Sequence, residues 1–308
     1  MKNKLFLKIF VGFLLKFSLT LFLLRFVSRK FILFVVYPDN RKTIEFYLRK
    51  NKQGLWEKLR KWKIPFPIGI LRIKGKIKGM VVGLPILAEE LSNELPKYEK
   101  LLRKWTRLNL VLGGRLPTIA LKLNLPYVKE RAKNTIENSA KAVIACIKIL
   151  NPPPKSLGIV GIGSVGKKVV EFLANSHNFD LKEVEKFVII DRNLRVKRKE
   201  GKFLWSFAPE LIKQEMIETV LLLTTSGEIN FPLETVKRII DFTYPSLERK
   251  IINEIKTKHR NIEIYRGMLS SPDFAIKPPL PGYPEIPSCL LVGLSHFNIE
   301  IKPYLQAL

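Results

Sequence analysis

The sequence predicts an α/β protein of two domains, the second a doubly wound, mainly parallel sheet. Three observations predict it. Short apolar runs alternate with helical patterns through the second half of the chain. One run, residues 156–160, leads into a glycine turn and then into an amphipathic helix. The stiff stretch Asn151-Pro152-Pro153-Pro154 stands just before that run and divides the 308 residues into two parts, each long enough for its own core.

Residues 1–30 differ from the rest. Positions 5–24 are dominated by Leu, Phe, Ile and Val, but Lys8 and Lys16 interrupt them and Arg25, Arg29 and Lys30 follow. At helical spacing the basic positions share one side, the pattern of a helix lying at a membrane surface. A spanning helix ranks second because Lys16 would sit near its centre, and a helix packed on protein ranks third. No small-residue cleavage site follows, which argues against a removed signal peptide.

The first α/β domain is expected over 31–151. Residues 31–36 read as a buried strand, stopped by Tyr37-Pro38-Asp39-Asn40, which also caps a helix over 41–49. Pro65 and Pro67 end a helical region. Residues 68–82 alternate as strands do, with Gly75 and Gly79 as turn or bulge points. Residues 85–104 are helical with Pro96 dividing them. A strand over 108–112 ends in Gly113-Gly114, and an amphipathic helix spans 134–150, carrying Ile136, Ala140, Val143, Ile144, Ile147 and Leu150 on one face.

The second domain is expected over 155–277. Its turn reads Gly161-Ile162-Gly163-Ser164-Val165-Gly166, a G-x-G-x-x-G between strand and helix, which is the dinucleotide-binding fingerprint in its required context. Gly161 permits the turn, Gly163 lets the backbone approach a pyrophosphate, and Gly166 lets the helix pack on its strand, with amides at Ser164 and Val165 opening the helix. A second apolar run, 187–191, ends in Asp191, thirty residues beyond Gly161. That acid suits the ribose 2′-hydroxyl of NAD, while Arg192, Asn193 and Arg195 equally suit the 2′-phosphate of NADP, so the cofactor stays open between the two. Further strands are expected at 203–205, 220–225, 238–243 and 262–265, and helices near 209–216 and 247–258. Thr224, Thr225 and Ser226, at a strand end, are candidate nicotinamide-side contacts or a plain polar turn. Residues 278–308 are expected to return as a proline-rich loop and a short apolar helix.

A net charge of +27 points toward acidic partners, but the lysines are spread along the chain without a basic stripe, which disfavours nucleic acid. Two distant cysteines and three histidines offer neither a disulfide framework nor a metal site, in keeping with a reducing, cytoplasmic compartment. Cys289 follows Pro287 and Ser288. With Ser288 as cap, its sulfur would lie in a first helical turn, where amides and dipole favour a thiolate. The alternative is a small buried hydrophobe. Cys146 reads as core, and His296 lies too far along a shared helical face to act as its base.

These residues together resemble the long-chain acyl-[acyl-carrier-protein] reductases, the aldehyde-forming enzymes, within a wider set of predicted amino-acid dehydrogenases. The likeness runs from about Phe31 to Phe297. It is carried by Gly79 to Leu87, by Leu112-Gly113-Gly114, by the helix holding Asn138-Ser139, by Asp241-Phe242-Thr243-Tyr244-Pro245 and by Ile286-Pro287-Ser288-Cys289. The glycine turn departs from the family's Gly-Ala-Thr-Gly-Asp-Ile-Gly, Glu137 replaces a glycine, and residues 1–30 are additional. The resemblance implies a Rossmann-type domain in a shikimate-dehydrogenase-like arrangement, Cys289 as the acylated nucleophile, and Gly113, Gly114, Asn138 and Ser139 near substrate. It also implies NAD(P)H-dependent reduction of an acyl thioester on acyl carrier protein or coenzyme A. Two other readings stand beside it. One is a shikimate- or amino-acid-type dehydrogenase without covalent catalysis, whose usual Lys and Asp pair is not evident by motif. The other is a non-catalytic nucleotide-binding protein at a membrane.

Overall fold

The computed structural model describes residues 30–38, 41–48, 53–175, 183–191, 198–206, 216–224, 233–243, 247–280 and 285–308. In chain order the elements are β1 (Ile32–Val36), α1 (Arg41–Leu48), α2 (Gln53–Trp62), β2 (Phe66–Ile73), β3 (Lys76–Gly83), α3 (Leu91–Glu94), α4 (Glu99–Trp105), β4 (Asn109–Leu112), α5 (Leu116–Lys122), α6 (Lys129–Lys148), β5 (Ser156–Val160), α7 (Ser164–Asn175), β6 (Lys186–Ile190), β7 (Arg198–Glu200), β8 (Phe203–Ser206), β9 (Thr219–Leu222), β10 (Arg238–Asp241), α8 (Arg249–Lys258), β11 (Glu263–Ser270), β12 (Phe274–Lys277), α9 (Leu291–Leu294) and β13 (Lys302–Ala307). The N-terminal segment, the caps at Asp39 and Asn40, residues 209–215 of the helix expected near 209–216, and Tyr244-Pro245 lie outside the described residues.

The chain forms two compact units. The first holds the described residues up to Ala132 with Asp273–Pro279 and Val292–Asn298; the second holds Lys133–Pro272, Leu280–Leu291 and Ile299–Leu308. The boundary therefore falls within α6, not at the proline stretch. Ala132 belongs to the first core, whereas Ala140, Val143, Ile144 and Ile147 belong to the second. One continuous helix serves both, and its 3.6-residue period gives no sign of the change.

The first unit carries a five-stranded sheet in the order β12-β2-β3-β1-β4. β1 lies parallel to both β3 and β4, and all five of its residues are buried, so it reads as an unbroken apolar run. β2 and β3 form a hairpin through Lys74 (φ 49°) and Gly75 (φ 74°), the paired left-handed conformation of a tight hairpin turn. Gly79 is no turn. It lies within β3 opposite Ile32, where a Cβ would come 2.6 Å from the Ile32 carbonyl oxygen. β12, expected in the second domain, instead pairs antiparallel with β2. Leu33, Val35 and Tyr37 pack one face against Leu91, Leu95, Leu102, Trp105 and Leu116 from the helical turns beyond β3 and β4.

The second unit carries an eight-stranded sheet in the order β13-β11-β10-β9-β5-β6-β8-β7. Six central strands are parallel, and the edge strands β13 and β7 are antiparallel. Numbered from β5, the parallel strands run 3-2-1-4-5-6, the order of a doubly wound dinucleotide fold. The fold is thus mixed α/β with two parallel-rich sheets, the second of Rossmann type.

Candidate functional site

Strand order reverses between β5 and β9, and a doubly wound sheet binds ligands in the crevice beyond the carboxyl ends at such a point. There the Leu223 amide donates to the Val160 carbonyl at 2.8 Å, so the ends of the two strands are tied together. The glycine turn begins at once. Gly161 adopts φ 93° and donates its N–H to Ile190 O at 2.8 Å, holding the turn against β6. A Cβ there would meet Thr224 Cγ2 at 3.0 Å and the Leu223 carbonyl at 3.1 Å, so turn and β9 are in contact.

Gly163 and Gly166 do different work. A Cβ on Gly166 would stand 2.1 Å from Gly161 O, which means α7 rests directly on the turn. A Cβ on Gly163 would meet nothing within 4 Å. That side of the turn is open. The Lys167 amide donates to Gly163 O at 2.9 Å and closes the first helical turn. The amides of Ser164, Val165 and Gly166 precede the helix's own bonding and present the positive end of its dipole.

Two side chains complete the site. Asp191, at the end of β6, accepts the Ile162 N–H through Oδ2 at 2.7 Å, so its carboxylate faces the turn. The Thr224 hydroxyl, two residues beyond β9, is buried with no hydrogen-bond partner among the described residues. A buried hydroxyl left so costs free energy, and a ligand at the crevice would satisfy it. An open backbone cradle, a helix start, a carboxylate at the end of the adjacent strand and an orphaned hydroxyl fit a dinucleotide. Arg192, Asn193, Thr225 and Ser226 lie outside the described residues.

Other candidates fall elsewhere. Gly113 is buried, with no room for a Cβ, which would strike the Phe34 ring at 2.7 Å, and Gly114 turns the chain with φ 55°. The neighbouring Arg115 amide donates to the hydroxyl of Tyr37 at 3.0 Å, a link that ties β1 to this turn and that no local pattern announces. Asn138 donates to Asn134 O one helical turn back at 2.8 Å, and Ser139 is buried, both near the middle of α6. Asp241 is fully buried and accepts from Thr243 N (2.8 Å), Thr243 Oγ1 (2.6 Å) and Leu247 N (3.0 Å), so it shapes the turn after β10.

Cys289 is buried, at 8 % exposure, in a single 3-10 turn, Ser288–Leu290, that runs into the four-residue α9. Pro287 occupies the cap position and no side-chain cap bond forms, so the expected Ser288 cap is not made. The segment is also too short for a sizeable dipole. His296 is exposed in the turn beyond α9 and shares no helical face with Cys289. Cys146 is core: its thiol points at Met268 O, 3.6 Å away, and burial pushes its pKa up to about 12. No group of three or more metal-ligating side chains occurs among the described residues.

No family model matches the chain, and no curated protein does. Among solved structures it is similar to a shikimate dehydrogenase from Thermotoga maritima, at 10 % identity over 76 % of this chain and 86 % of that one, with a TM-score of 0.40. It is also similar to shikimate dehydrogenase 1 from Peptoclostridium difficile (13 % identity, 68 % and 76 %, TM-score 0.36). An L-tryptophan dehydrogenase from Nostoc punctiforme is a third (10 % identity, 88 % and 75 %, TM-score 0.35).

Proposed function

We propose that this chain is an NAD(P)-dependent oxidoreductase of the shikimate or amino-acid dehydrogenase type, acting without a covalent intermediate. One observation carries the reading. The Gly161 turn, the start of α7 and the orphaned Thr224 hydroxyl coincide at a single switch point of a 3-2-1-4-5-6 sheet. In this reading the amides of Ser164, Val165 and Gly166 hold the pyrophosphate, Asp191 receives the adenosine ribose, and Thr224 bonds on the nicotinamide side. Arg192, Asn193 and Thr225 adjoin them in sequence. The nicotinamide, when bound, supplies a hydride donor or acceptor. Titrating the protein with NADH and NADPH, followed by nicotinamide fluorescence, tests the seat; saturable binding is expected, and no binding of either would overturn the proposal.

A second reading is reduction of an acyl thioester of acyl carrier protein or coenzyme A to an aldehyde. It rests on Ile286-Pro287-Ser288-Cys289, and the +27 charge suits an acidic carrier. In it the Cys289 thiolate displaces the carrier thiol, and hydride then expels the thiolate as aldehyde is released. Mass spectrometry after incubation with acyl thioesters separates the two. An adduct at Cys289 favours the second reading; turnover of a hydroxy or amino acid that survives thiol alkylation favours the first.

A further inference from the structure

We infer that the amino-terminal end of the first sheet docks on an anionic lipid bilayer, with the tip of the β2–β3 hairpin as its contact. The inference does not depend on the Gly161 turn. The tip reads Lys74-Gly75-Lys76-Ile77-Lys78, in which Lys74 and Lys76 are exposed and Ile77 is 55 % exposed. No ion pair engages these three lysines among the described residues. Asp273, whose carbonyl accepts the Lys74 amide at 2.7 Å, is the acid beside them. An exposed aliphatic residue flanked by lysines is what an interface of acyl chains and anionic headgroups accommodates.

Register decides what lies alongside. Ile32 pairs with Gly79 and with Asn109, so the chain enters β1 at the same end of the sheet as Lys76–Lys78 and as exposed Arg107. The sequence that arrives there is the apolar stretch 5–24 with Arg25, Arg29 and Lys30 after it. The hairpin tip and the point where this stretch joins the fold therefore face one plane. This is the reason for choosing a bilayer over a nucleic acid or an acidic protein, neither of which calls for apolar sequence beside the bases.

The conformation of Lys74 supplies a control. The residue adopts φ 49°, a left-handed conformation that Asn or Gly takes with less strain. Asparagine at that position would ease the turn while removing the charge, so it separates the two effects.

The test is partition of the full chain onto vesicles of phosphatidylcholine with about 30 % phosphatidylglycerol at about 0.1 M salt, where screening acts over about 10 Å. Each lysine lost at the surface weakens partition about fivefold, so Lys74→Gln, Lys76→Gln and Lys78→Gln together should weaken it about a hundredfold. Lys74→Asn alone should weaken it about fivefold while leaving the thermal midpoint unchanged or higher, which separates docking from misfolding. The triple variant partitioning within about twofold of the parent would overturn the inference. So would a loss confined to retention on double-stranded DNA.

Discussion

Gly163→Ala and Gly166→Ala change the same atom count within one turn, yet the geometry assigns them opposite consequences. At Gly166 the new methyl would sit 2.1 Å from the Gly161 carbonyl oxygen, a backbone atom that cannot rotate aside. α7 must then lift off the turn. Overpacking of this kind costs about 1–3 kcal/mol. For a unit of this size that lowers the thermal midpoint by about 2–12 °C. At Gly163 the methyl meets nothing within 4 Å and the backbone is not left-handed, so the fold tolerates it. The expected change in stability is under about 0.5 kcal/mol. The methyl instead occupies the space through which a pyrophosphate approaches, and reduced-dinucleotide affinity should fall about 10–100-fold, or about 1.4–2.7 kcal/mol. Differential scanning fluorimetry and nicotinamide-fluorescence titration read the two quantities separately. A Gly163→Ala protein that binds dinucleotide like the parent would refute the assignment of that open side to the ligand.

Other outcomes follow from single contacts. Asp191→Ala removes the acceptor for the Ile162 amide and should cost about 1.5–3 kcal/mol by chemical denaturation, while Asp191→Asn retains an acceptor oxygen and most of the stability. Both should shift relative affinity toward the 2′-phosphorylated dinucleotide by about tenfold, measured by competitive titration. Asp241→Ala strands three donors in the interior and should destabilise by about 3 kcal/mol or more, with Asp241→Asn milder. Cys146 should resist iodoacetamide in the native protein and react only after unfolding. Its thiol is held neutral by burial, so the folded chain keeps a proton that the unfolded chain releases, and stability should decline as pH rises from about 9 toward 12.

Much of the fold was legible, for identifiable reasons. The parallel strands are buried on both faces, so 156–160, 186–190 and 219–222 stand out as largely apolar runs. β7, β12 and β13 did not stand out. The last two are short, partly exposed edge strands with a charged residue at one end, and their pairing depends on partners remote in sequence. Gly79 read as a turn or bulge point; it adjoins a bulge of the β2–β3 pair, and the close approach of Ile32, which also requires a glycine there, is a tertiary fact. In the site, the roles of Gly161 and Gly166 follow from spacing alone. The orphaned state of Thr224 and the bond from Ile162 to Asp191 are tertiary facts, set by which strand ends meet.

A crystal structure of the protein grown with NAD(H) or NADP(H) tests the central assignment most directly. Density for the pyrophosphate should lie within hydrogen-bond distance of the Ser164, Val165 and Gly166 amides, with the Thr224 hydroxyl bonded to the ligand. A dinucleotide seated elsewhere on the chain, with those amides turned to solvent and Thr224 still unbonded, would contradict it.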